Sequence, residues 1–235
     1  MNLSEVMTEL KKKGSPQTVK IFSRHGAPEN LFGVKVADLK PIAKKIKGDQ
    51  ELACELYATG NSDAMYLAGL VADGSLMTKR DLNAWARDAS WYMISEYTVP
   101  WVTSDSKHAE DLALKWMVAK KEKVATSGWA TYSSLLGLRD DKELNQVEIK
   151  KLLKRVEKEI HQAPNRVRYT MNGFVISVGT YVKPLLKQAQ AAAKKIGKVD
   201  VQMGETSCKV PLATDYIAKV EKMGRIGKKR RSARC

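Results

Sequence analysis

Apolar residues along the chain recur at three- and four-residue spacing and almost never alternate. Leu3, Val6 and Leu10 open the pattern, Val36, Leu39, Ile42 and Ile46 continue it, and Leu52, Ala53, Leu56 and Tyr57 follow. That spacing gathers apolar side chains on one face of a 3.6-residue repeat and predicts amphipathic helices. Two short stretches, 178–182 and 199–203, read as strand-like, and the first is expected to end a helix. Pro41 predicts a start or kink. Breaks at Gly14-Ser15-Pro16, Gly48-Asp49, Gly60-Asn61, Asp73-Gly74, Pro100, Ser127-Gly128, Arg139-Asp140, Ala163-Pro164 and Gly197 delimit helices joined by short turns. No linker is long enough to divide this run. One all-α domain over 1–196 is expected, with an extension over 197–235.

A weak repeat runs through the middle. A helix over 81–89 hands over at Ser90-Trp91 to a second helix reaching Val99. The same order recurs as 111–121 followed by Gly128-Trp129 and a helix to Leu138, and again as 148–162 followed by Asn165-Arg166-Val167 and a helix to Val178. Two helices per unit at a period near 40 is the signature of HEAT-type arrays. Such pairs cannot bury their apolar faces alone, so they stack into a curved α-solenoid whose inner helices line a concave ligand-binding side.

Charge changes the picture. The chain of 235 residues carries 41 Lys+Arg against 26 Asp+Glu, a formal net charge of +15. Residues 151–200 contribute +8 and residues 201–235 contribute +6. A field polarised in this way attracts a polyanion, and nucleic acid is the expected partner. A membrane surface is not expected, because the basic tail lacks an apolar face. No apolar run approaches the roughly 20 residues that span a bilayer. Cys54, Cys208 and Cys235 are odd in number and far apart, which argues for reduced thiols rather than a disulfide framework or metal cluster. Phosphate loops, dinucleotide fingerprints and zinc spacings are missing, so no cofactor and no metal is expected. His25, His108 and His161 are isolated, and each is expected as a surface or capping residue. A monomer in the cytoplasm is the expectation, nucleoid-associated if the source is bacterial.

The inner helices carry the candidate chemistry. Tyr92 and Glu96 lie four residues apart and share a face, while Trp91, Ile94 and Tyr97 turn elsewhere to pack. Tyr132 and the following serines form the polar side of the second inner helix. Arg166 and Arg168 stand in the first turn of the third, the unfavourable end for a cation in the helix dipole. Beside exposed first-turn amides, they read as a phosphate clamp. The alternatives are a solvated face or ion pairs with Glu157 or Glu159.

The helix pairs, the Ser90-Trp91-Tyr92…Glu96 helix, the Gly128-Trp129 helix and the Gly173-Phe174 helix together resemble the HEAT-like repeat alkylpurine DNA glycosylases, the AlkD type of DNA alkylation repair protein. The resemblance covers most of 1–196. It implies an α-solenoid whose basic concave face cradles duplex DNA. It also implies release of cationic 3- and 7-alkylated purines without a deep base pocket. Glu96 falls where the family has its catalytic aspartate, one methylene longer. Tyr92 takes the place of a lesion-contacting tryptophan, Tyr132 that of a cleft arginine, and Phe174 that of the last cleft tryptophan. A cationic alkylpurine leaves as a neutral base, so one well-placed carboxylate that stabilises the sugar cation and aims a water would suffice.

The extension does not fit the repeat. Residues 198–211 read as a loop and 212–223 as one amphipathic helix. The ending then places Arg225, Lys228, Lys229, Arg230, Arg231 and Arg234 together without an acid. It reads as a nucleic-acid arm. The reading favoured by the altered cleft is a DNA-binding protein of this superfamily that holds duplex, damaged or branched DNA with weak or no base excision. An active glycosylase using Glu96 is the alternative, and a HEAT-type protein-interaction scaffold the third reading.

Overall fold

The computed structural model describes residues 1–234, and Cys235 lies outside the described residues. Thirteen α-helices and no strand are found among them. They are α1 (Leu3–Lys13), α2 (Pro16–Arg24), α3 (Val36–Lys45), α4 (Gln50–Ala58), α5 (Ser62–Val71), α6 (Lys79–Asp88), α7 (Val99–Ser104), α8 (Ala109–Trp116), α9 (Glu122–Leu138), α10 (Gln146–Glu159), α11 (Asn165–Tyr181), α12 (Leu186–Ile196) and α13 (Ala213–Lys222). Local chemistry sets the boundaries. Asn2 with Glu5 and Thr78 with Asp81 form capping boxes at α1 and α6, and Ser15, Asp49, Asn61 and Asn145 accept first-turn amides at α2, α4, α5 and α10. Pro41 sits inside α3, and Pro100 falls in the first turn of α7. The chain therefore runs through Pro100 rather than stopping, because a first-turn proline has no intrahelical hydrogen bond to lose.

The helices form two compact units, 1–108 with 203–207 and Arg234, and 109–202 with 208–233. In the first, α5 is the hub and packs on α1, α3, α4 and α7. Its residues Ser62 to Gly69 are all buried, and after the polar start Ser62-Asp63 the helix is apolar around its whole circumference. The Asp63 carboxylate accepts the backbone amides of Phe32 (2.6 Å), Gly33 (3.0 Å) and Val34 (3.0 Å), fixing the loop before α3 to the start of α5. Burial pushes its pKa up, and the three amides pull against that rise.

In the second unit α9, α11 and α13 lie side by side, and α10 and α12 pack on each other and back onto α11. Glycines allow the closest approaches. A Cβ at Gly128 would stand 2.6 Å from the Met117 nitrogen and 2.7 Å from the Ala113 oxygen, and one at Gly179 would stand 2.5 Å from the Ile217 side chain. The 199–202 stretch forms no strand. The Asn165 side-chain amide takes the role of a neighbour, donating to the Gln202 carbonyl (2.9 Å) and accepting its amide (2.7 Å).

Candidate nucleic-acid interface

Glu96 lies in the first unit on a π-helical turn, Ile94–Thr98, that packs against α5 and runs into α7. The widened turn fits against α5 because residue 69 is glycine. A Cβ there would sit 2.6 Å from Cγ2 of Thr98 and 3.1 Å from its Cα. Isolated π turns inside helices are frequent at functional positions. The Glu96 residue is buried, 8% exposed. Tyr92, half-buried, stands against Trp91 (ring centroids 4.9 Å) and edge-on to His25 (6.5 Å). Phe22 covers the other part of Trp91 at 5.6 Å, and Ser62 and Ser90 share a hydroxyl hydrogen bond at 3.0 Å that ties this corner to α5.

In the second unit Tyr132 and Phe174 are brought together, with ring centroids 6.0 Å apart, and Phe174 also meets Trp129 edge-on at 5.2 Å. Phe174 is fully enclosed and Tyr132 is 2% exposed. Stacking on a base would require either ring to leave this packing. Burial, followed by the negative charges of Glu110 and Glu148, pushes the Tyr132 phenol far above its ordinary range, so it stays neutral.

Arg166 and Arg168 stand in the first turn of α11 as their spacing predicts, but the amides beside them are not all open. The Arg166 amide donates to Glu122 Oε1 at 2.6 Å, so a carboxylate of the same unit already occupies part of the anion slot. The Arg166 guanidinium lies over the Tyr169 ring, 4.4 Å from its centroid. Arg168 Nη2 reaches Asn165 Oδ1 at 3.4 Å, and its Nε, enclosed, has no acceptor. Of the acids near these arginines, Glu159 takes Arg155 (2.8 Å), and Glu157 takes Lys154 and Lys195 (3.0 Å each). Arg155, which the sequence did not single out, also lies over the Trp129 ring at 5.5 Å. His161 caps, its Nε2 lying 2.9 Å from the Ile196 carbonyl oxygen.

The basic ending is docked rather than free. Gly227 and Arg230 donate their amides to the carbonyls of Thr180 (2.8 Å) and Gly137 (2.7 Å). The Lys229 ammonium is consumed by three oxygens, Leu136 O (2.9 Å), Tyr181 O (2.8 Å) and Asp141 Oδ1 (2.8 Å). It thereby neutralises the C-terminal ends of α9 and α11 together, the favourable place for a cation. Lys229 belongs to the fold, which corrects its reading as an arm residue. Arg234 likewise binds the carbonyls of Gly69 and Ala72 and the carboxylate of Asp105. Arg225, Lys228, Arg230 and Arg231 keep exposed side chains. Cys54 and Cys208 are free thiols. No group of metal-ligating side chains and no helix long and apolar enough to cross a membrane is found among the described residues.

Residues 6–198 match the family of DNA alkylation repair enzymes. Uncharacterised proteins of Listeria innocua serovar 6a and Listeria monocytogenes serovar 1/2a are 35% and 34% identical over 225 residues, covering 93% of this chain and 97% of each of theirs. A solved structure is similar over the full length of both chains, with a TM-score of 0.92 and 41% identity. It is described as a new family of proteins related to the HEAT-like repeat DNA glycosylases with affinity for branched DNA structures.

Proposed function

The chain belongs to the DNA alkylation repair enzyme family, with a HEAT-like repeat fold, and from that premise we propose that it binds DNA, branched DNA in preference to linear duplex, with little or no base excision. The observation that carries this reading is the full-length match at 41% identity to a relative described by its affinity for branched DNA. Charge supports it, since nearly all of the net +15 lies after residue 150. In this reading Arg166 and Arg168 contact backbone phosphates from α11, and Arg225, Lys228, Arg230 and Arg231 contact them from the docked ending. The protein acts as a monomer in the cytoplasm, on the nucleoid if the source is bacterial.

Three residues support weak excision. Glu96 is buried, Phe174 has no free face, and Tyr132 stands where the resemblance implies a cleft arginine. A displacement of about 1 Å at the reacting centre already costs on the order of 100-fold. The glycosylase reading keeps one support, the placement of Glu96 on a π turn. Release of 7-methylguanine and 3-methyladenine from methylated duplex, wild type beside Glu96→Gln, separates the two. Absence of release from both supports the binding reading, and release that the variant loses overturns it. The affinity of the wild type for a four-way junction and for its linear arms tests the DNA preference itself.

A further inference from the structure

We propose that the lysine-rich outward face of α10 and α12 is a second phosphate-backbone surface, which takes a second duplex arm of a branched DNA while the α11 side of the same unit holds the first. The inference rests on the DNA-binding reading above and adds a site to it.

The two helices are built to present lysines. On α10 the buried residues are Ile149, Leu152, Leu153 and Val156, and Lys150, Lys151, Lys154 and Lys158 occupy the opposite stripe, all exposed. On α12 alanines and Ile196 face inward, and Lys187, Lys194 and Lys195 face out. Gly197, at φ +57°, ends the helix just before exposed Lys198. Glu157 locks the two rows together. Its side chain is 6% exposed and accepts Lys154 from its own helix and Lys195 from α12, each at 3.0 Å. Burial pushes the Glu157 carboxyl up, but the hydrogen bonds and charges of these lysines outweigh it and hold the carboxyl below its ordinary range. The carboxylate thus spaces the ammonium groups rather than cancelling the face.

Lys150, Lys158, Lys187, Lys194 and Lys198 have no acidic partner among the described residues. From Lys150 to Lys158 the helix rises about 12 Å, a length of duplex axis that carries about seven phosphates. The cluster holds lysine and no exposed arginine. Hydrated point charges of this kind suit contacts with a backbone regardless of sequence, whereas Arg166 and Arg168 on α11 have the fork geometry for bidentate phosphate contact. A bilayer surface fits poorly, because Val147 is the lone large apolar side chain exposed on α10. Since α10 and α12 back onto α11, a linear duplex on one layer leaves the other layer free, and a junction with several arms can engage both. Simultaneous engagement raises apparent affinity without any new type of contact.

The experiment compares the wild type with the Lys150→Gln/Lys158→Gln/Lys187→Gln/Lys194→Gln variant. None of these four lysines makes an ion pair, so the variant is expected to fold, and its circular dichroism and melting curve check that. The probes are a 20-base-pair duplex in excess and a four-way junction built from the same arms. The wild type is expected to take up two duplexes at low salt and the variant one. Junction affinity should fall about 10- to 100-fold in the variant, and its log–log salt slope should flatten by about 2 to 4. Affinity for the first duplex should change less than about threefold. A wild type that takes up one duplex, or a variant that keeps junction affinity and slope, overturns the second surface alone. A wild type that binds neither probe overturns the DNA-binding reading with it.

Discussion

Asp63 shows how one side chain can decide a local fold here. It serves three backbone amides at once, and losing it would leave three donors of a buried loop without an acceptor. Each such orphan costs about 1–3 kcal/mol, so Asp63→Ala should lower the unfolding free energy by about 3 kcal/mol or more, read by urea titration. An effect under about 1 kcal/mol would mean the loop finds other acceptors. Its pH behaviour has a defined sign. Asp63 has a folded pKa raised by burial, so its ionisation opposes folding as pH rises through the carboxylate range. Glu157 is depressed, so its contribution is full above the ordinary carboxylate pKa and is lost as pH falls toward its folded value. The stability gap between wild type and Glu157→Gln should therefore narrow on acidification below about pH 4, and a gap that widens there would contradict the assigned pairing.

At the scale of elements, the docked ending and the close helix approaches make separate predictions. Lys229→Gln removes a cation from the ends of α9 and α11 and should destabilise the protein by about 1–3 kcal/mol. Arg225→Gln/Lys228→Gln/Arg231→Gln leaves stability nearly unchanged but flattens the salt slope of DNA binding by about 2 to 3. Equal effects of the two variants on DNA binding would remove the distinction between peg and contact. Gly128→Ala should cost about 1–3 kcal/mol or more, because the added carbon meets the backbone of 113–117, which has no rotamer with which to move away. Much of this scale was legible in the sequence. Helical periodicity and the paired order of α8 with α9 and α10 with α11 follow from spacing, but the break expected at Ser127-Gly128 falls inside α9, which starts at Glu122, because Gly128 serves close packing on α8 rather than a turn. The π turn at Glu96 was not legible, because it depends on how that turn packs against α5, and neither was the run through Pro100, because the sequence does not show that this proline falls in a first turn. The place of Lys229 was not legible for a similar reason. In a run of six cations without an acid it looks solvated, and its partners are two backbone carbonyls and an aspartate 88 residues away.

For the whole molecule, the net charge and its concentration after residue 150 pointed to a polyanion before any contact was known. Family membership was also legible, in the order of the Trp91, Trp129 and Phe174 helices, and the match over residues 6–198 agrees with it. The accessibility of the candidate cleft was not legible. An aromatic at an inner-helix position can face a ligand or fill the core, and spacing does not separate the two. Tyr132 and Phe174 fill it, and Arg166 shares its first-turn amide with Glu122. Buried Tyr132 and Phe174 and the exposed cations of the second unit accord with the proposed role as a binder of DNA shape.

Affinity for branched DNA is tested by a fluorescence anisotropy titration of a four-way junction against its linear arms across a salt series. Tighter binding to the junction is expected, at least about 10-fold at moderate salt, with a steeper salt slope. Equal affinity for both probes, or binding that does not weaken with salt, would contradict it.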